Sequence, residues 1–231
     1  MRRTSRSLAI FSACLVILAA QTVAAAPLDQ YWKPAGAAFP PAGPFSTAAA
    51  WQAGQYSVTG NLVGGKRDSI SSSLIVRKEE GGWVIETWSM DKSGKESVSQ
   101  VLLGGMDEAM AGDVSKIRIV WMKSLKSDGT VEKTEGPAMA MIGAMMKSTY
   151  EKLAVNVQTY TDGGVVEVPA GSFAGTSLVK AKTKVMLFTV ETESWFHPAV
   201  PVNGMVRSRS SDGKNVSELL SFGYDGTPRI P

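Results

Sequence analysis

Trp83-Val84-Ile85-Glu86-Thr87-Trp88-Ser89-Met90 is a β-branched and aromatic run in which apolar and polar side chains alternate imperfectly. A period of two marks a strand, and imperfect alternation marks a strand covered on both faces. The run follows the hairpin-grade turn Glu80-Gly81-Gly82 and a similar run, Ile70–Lys78, so the two read as antiparallel neighbours. Ile117-Arg118-Ile119-Val120-Trp121-Met122 is likewise apolar on both faces in its second half. Working outward, the pattern predicts strands near Gln55–Val63, Ser97–Leu103, Ile117–Leu125, Val155–Thr161, Val165–Val168, Ser177–Lys184, Val185–Glu193, Gly204–Ser210 and Ser217–Gly223. Lys92-Ser93-Gly94, Ser127-Asp128-Gly129, Asp162-Gly163-Gly164 and Ser211-Asp212-Gly213 supply further turns. Sequential antiparallel pairing follows, with something lying across the concave side of the sheet.

One segment, Pro137 to Leu153, breaks the period of two. Met139, Ile142, Met146, Tyr150 and Leu153 fall at helical spacing, flanked by Met141 and Met145, and Pro137 sits where a first-turn proline is tolerated. The spacing predicts a helix over about 137–153 and a shorter helical or loop segment at Met106–Gly112. The expected fold is therefore mainly β with one long helix: a curved antiparallel sheet, unclosed or a half β-barrel, covered by the Met-rich helix. Three regions are expected: a leader over 1–26, a Pro/Gly/Ala-rich arm over 27–46 whose aromatic residues can dock on the body, and a single β-rich domain over 47–231.

The leader reading rests on a basic start (Arg2, Arg3, Arg6), an apolar stretch from Leu8 to Ala20 and the small-residue exit Val23-Ala24-Ala25-Ala26. That is the build of a secretory signal peptide, and its apolar stretch is shorter than the ~20 residues a spanning helix needs. The expected location is periplasmic or extracellular. The leader carries three of the 24 Lys and Arg and none of the 21 Asp and Glu, so 21 of each remain after its removal. A neutral chain gives no electrostatic footing to a nucleic-acid partner. The single cysteine, Cys14, also lies in the leader, so stability has to come from a packed core rather than from disulfides.

Catalytic chemistry is sparse. The one histidine, His197, stands in Trp195-Phe196-His197-Pro198, where packing or a hydrogen-bond bridge is expected, and neither a triad nor a metal site can be assembled around it. Ser177-Leu178-Val179-Lys180 spells S-x-x-K, but on a strand its Ser and Lys face opposite ways. Glu191 and Glu193 share a strand face, as do Lys180, Lys182 and Lys184; both sets read as solvated surface. No catalytic residue, metal ligand or cofactor is assigned, and the protein is expected not to be an enzyme.

Methionine is the unusual component, with four of the 11 falling between Met139 and Met146. Flexible thioethers line surfaces that accept acyl chains or variable apolar partners, although the same residues also serve as core. Thioether binding of copper(I) lacks His or Cys partners here.

Val168-Pro169-Ala170-Gly171-Ser172-Phe173, then a strand pair, Trp195-(x5)-Pro201-Val202-(x1)-Gly204-Met205-Val206 and Glu218-Leu219-(x2)-Phe222-Gly223 together resemble the carboxy-terminal half of secreted bacterial domains of unknown function. These are similar to the periplasmic lipoprotein-carrier and lipid-transfer group. The resemblance covers roughly Val165–Gly226. It implies an unclosed β-barrel around an apolar cavity with helical lids, and carries over no functional residue. The expected function is non-enzymatic binding of a lipid, acyl chain or lipoprotein, with Met139, Met141, Ile142, Met145, Met146, Trp88 and Trp121 as ligand-lining residues. The alternative is a cell-envelope interaction module with a solid core.

Overall fold

The computed structural model describes residues 28–42, 50–110, 116–139, 141, 143, 155–185 and 188–231, with backbone alone for 109, 110, 155–160, 183–185, 188 and 189. The leader lies outside them. The described chain is mostly β: β1 (Ala38–Phe39), β2 (Tyr56–Val63), β3 (Lys66–Glu79), β4 (Gly82–Asp91), β5 (Glu96–Gly104), β6 (Arg118–Leu125), β7 (Val131–Glu135), β8 (Val155–Val168), β9 (Gly171–Val185), β10 (Phe188–Phe196), β11 (Met205–Ser210) and β12 (Asn215–Gly223). A 3-10 turn covers Asp29–Tyr31 and a short helix, α1, covers Met106–Met110.

All twelve strands join one open sheet. Its order runs β9-β10-β11-β12-β2-β3-β4-β5-β6-β7, with β8 on the other side of β9. Within β2–β7 and within β8–β12 consecutive strands pair antiparallel, and among the described residues β1 alone pairs parallel, through Ala38↔Ser172 and Phe39↔Phe173. The join between halves is the antiparallel pairing of β12 with β2, far apart in sequence. β7 and β8 are thus the two edges of the sheet.

Four features differ from the reading of the sequence. Val155–Thr161 and Val165–Val168 are one strand, β8, because Asp162-Gly163-Gly164 is a bulge and not a reversal: Asp162 Oδ1 accepts the Gly164 N–H at 2.8 Å. β7 was not expected, since Val131-Glu132-Lys133-Thr134-Glu135 has no apolar alternation; it is a charged edge strand, a composition that discourages further pairing. Nor was β1, two residues of the arm. The long Met-rich helix is not shown: 137–139, 141 and 143 are helical, and the remainder of 137–153 lies outside the described residues.

Direct cross-strand partners share a face, so the register sorts the side chains. One face of β2–β6 carries the row Tyr56, Leu74, Glu86, Gln100 and Lys123, with Val58, Ser72, Trp88, Val98 and Leu125 beside it. The opposite face carries Ser57, Ser73, Thr87, Ser99 and Ser124, then Thr59, Ser71, Ser89 and Ser97: two hydroxyl rows across the strands. Thr59 and Ser71 hydroxyls stand 3.1 Å apart, and those of Ser89 and Ser97 2.8 Å.

The core forms in two main places. On the first face of β3–β5, Ile70, Trp88, Met90 and Val98 pack with Leu220, and the layer is completed by Leu28 from the arm and Ile230 from the last residues. Trp32 lies flat on Gly60, where an added Cβ would sit 2.2 Å from its ring. The second core lies against the hydroxyl side of β11 and β12, where Val206, Leu219 and Phe222 meet Val166, Ala170 and Phe173. The β8/β9 hairpin reaches it by bending at bulges near Gly164 (φ +68) and Gly175 (φ +65), and the Ala170 N–H donates to Leu219 O at 3.1 Å. The 28–42 arm is docked here as well, with Phe39 stacked on Phe173 at 4.4 Å.

Candidate functional site

The Glu86 and Gln100 face of the first half is crossed by the chain's own segment 224–231. Two neighbouring side chains on β4 and β5 grip it. Glu86, 3% exposed, accepts the N–H groups of Arg229 (2.8 and 3.0 Å) and Ile230 (2.9 Å), and the Nε2 of its cross-strand partner Gln100 (3.0 Å). Gln100, fully buried, donates from the same Nε2 to Ile230 O at 2.6 Å. A carboxylate is stable in such a place only when donors replace its water, and here three do. The Arg229 guanidinium sits 4.3 Å above the Trp88 ring and donates to Glu96 at 3.0 Å, while Trp88 Nε1 donates to the same Glu96 oxygen at 2.8 Å. Lys123 Nζ reaches Pro231 O at 3.2 Å.

Beside this segment a half-open cleft of about 260 Å³ is lined chiefly by Tyr31, Tyr56, Leu74, Glu86, Trp88 and Arg229. That falls just below the ~300 Å³ at which small-molecule pockets begin. Gln100 Oε1 is buried beneath the segment and meets no donor among the described residues.

Of the sequence-predicted ligand residues, Trp88 and Trp121 share one sheet face, both buried. Trp88 carries Arg229, and Trp121 packs with Val84 and Leu102 under the ammonium groups of Lys123 and Lys133. Met139 is buried and Met141 is 72% exposed. Ile142, Met145 and Met146 lie outside the described residues. Glu86 and Gln100 were missed, although the sequence holds a signal: each stands in the apolar register of its strand, Val84-x-Glu86-x-Trp88-x-Met90 and Val98-x-Gln100-x-Leu102.

The expected surface charges are paired off. Lys182 meets Glu191 at 2.6 Å, and Glu193 receives Lys180 at 2.7 Å and Arg209 at 2.6 Å. Hydrogen bonds from Lys180 and then Arg209 hold the Glu193 carboxyl below the usual glutamate range. A depressed folded-state value adds stability above the unfolded value, about 4.3, that is lost as pH falls through the folded one. Glu193→Gln is therefore expected to flatten the fall in Tm as pH drops below the unfolded value of about 4.3. A Tm profile unchanged by the substitution would show the network to be idle.

His197 is buried; its Nδ1 accepts the Ala199 N–H at 3.2 Å, so Nε2 carries the proton and donates to Pro40 O at 3.2 Å. It fastens the arm to the second core, edge-on to Phe173. Ser177 and Lys180 fall on opposite faces of β9, as strand parity requires. Among the described residues no group of three His, Cys, Asp or Glu could hold a metal ion, and no helix is long and apolar enough to cross a membrane.

No family model matches the chain, and neither does any curated protein. Among solved structures, a protein assigned as exported, with a YmcC-like fold, from Bacteroides fragilis NCTC 9343 aligns over 77% of this chain and 99% of its own, at 12% identity and a TM-score of 0.39. PNGF-II aligns over 75% of this chain but 28% of its own, at 11% identity and a TM-score of 0.30. At these values neither likeness assigns the chain an activity.

Proposed function

We propose that the protein is a non-enzymatic binding protein acting outside the cytoplasm, which takes an apolar ligand, a lipid, acyl chain or lipoprotein, at its Met-rich stretch 139–146. Composition carries this reading. The stretch holds four methionines in eight residues, the side chain best suited to adapt to an acyl chain. Met139 turned inward and Met141 turned out supply one buried side and one free side.

A second reading, an envelope interaction module with a solid core, has its own support. The Trp88 face of the first half is packed by Leu28 from the 28–42 arm and Ile230 from segment 224–231. Native mass spectrometry of gently purified protein separates the two. The carrier reading expects bound lipid, lost on Met141→Asp with Met145→Asp while the fold is retained. It also expects a Tm that rises with added lipid, by the equivalent of about 2.7 kcal/mol at a hundredfold excess over Kd. Protein that never carries lipid and never shifts would leave the interaction module standing.

A further inference from the structure

Residues 224–231 make a second kind of site visible. We propose that the groove over β3, β4, β5 and β6 is a peptide-recognition site, filled in cis by the chain's own 224–231 segment and open in trans to an extended peptide carrying a cation followed by an aliphatic residue. It stands apart from the lipid-binding reading and does not depend on it.

The grip has the form of peptide recognition. Glu86 takes the N–H groups of two consecutive residues and Gln100 gives to the carbonyl of the second, contacts that any extended backbone offers. Two side-chain positions add selectivity: the cation that lies on Trp88 against Glu96, and the aliphatic side chain, Ile230, that is wholly buried. Negative groups in the groove, Glu86 and Glu96, match a cationic peptide.

The occupant is also held by side chains and not by strand pairing. Residues 224–231 join no β ladder among the described residues, so lifting them breaks no strand pairing. Their approach is held by the Gly226 N–H to Gly54 O at 2.9 Å and the Tyr224 hydroxyl to Ala199 O at 3.2 Å. The fit is incomplete as well. Gln100 Oε1, fully buried, finds no donor among the described residues, and the cleft of about 260 Å³ remains open alongside. A buried acceptor without a donor is a cost that a better-matched peptide removes.

The test uses a fluorescent peptide with the sequence of residues 224–231 and the full chain. Tethering gives the cis segment an effective concentration of about millimolar, so wild-type protein should bind the peptide weakly. Ile230→Ser, which weakens the cis segment and withdraws an apolar side chain from the first core, should lower the folded protein's Kd for the peptide at least about tenfold, and adding Glu86→Gln should reverse that gain. Equal Kd for wild-type and Ile230→Ser chains, both folded, would overturn the proposal. Should Ile230→Ser fail to fold, hydrogen exchange of the wild type decides. The Arg229 and Ile230 amides should exchange through an opening that leaves β4 and β5 protected. Exchange of these two amides only on global unfolding would mark the segment as permanent core and sink the idea.

Discussion

Glu86→Ala is expected to cost about 3–5 kcal/mol of folding stability, a large share of what a domain possesses. The substitution removes the acceptor of three donors at once: the N–H groups of Arg229 and Ile230 and the Nε2 of Gln100. Each buried group so stranded costs about 1–3 kcal/mol unless the structure opens to water. Opening here means release of 224–231, which carries Ile230 out of the core and Arg229 off Trp88. Glu86→Gln keeps one carbonyl acceptor and should lose less. Urea unfolding followed by tryptophan fluorescence measures both. A loss under about 1 kcal/mol for Glu86→Ala would mean that water replaces the carboxylate without cost, and that the clamp does not hold the segment.

Phe173→Ala should be as damaging, by about 3–5 kcal/mol, for a different reason. Phe173 is fully buried at the centre of the second core, stacked on Phe39 at 4.4 Å and facing His197 at 5.4 Å and Phe222 at 6.1 Å. It belongs to β9 and touches residues from β1, from the loop after β10 and from β12. The void left by its ring cannot be closed by one neighbour, since these come from elements held separately by the sheet. Phe173→Leu keeps much of the volume and should cost markedly less. Thermal unfolding of the pair is the check, and equal Tm for wild type and Phe173→Ala would remove Phe173 from the core that fastens β1.

Most of the sheet was legible along the chain. Runs such as Trp83–Met90 and Asn215–Gly223 announce themselves because alternation is a local property, set by which side chains a pleat exposes. The turns at Gly81, Gly94, Gly129 and Gly213 are legible for the same reason: each has φ between +69° and +95°, a region glycine enters freely. Val131–Glu135 escaped because an edge strand has one bonded neighbour and buries little, so its composition is that of a loop. Asp162-Gly163-Gly164 misled because a bulge and a reversal use the same residues, and only the partner strand decides between them. At the candidate site, Trp88 was visible as a buried aromatic. Glu86 and Gln100 showed only as polar residues out of place in an apolar register, and nothing near them names their partners.

By itself the sequence determined most of the strands and their antiparallel succession within each half, since these depend on residue type and near-neighbour spacing. The tertiary structure alone decided that β12 pairs with β2, that Leu28 of the arm and Ile230 of segment 224–231 complete the first core, and that Glu86 answers N–H groups 143 and 144 positions away. Contacts of that separation are chosen by which surfaces remain unburied once the local elements exist. They are a property of the assembled sheet rather than of any window of sequence.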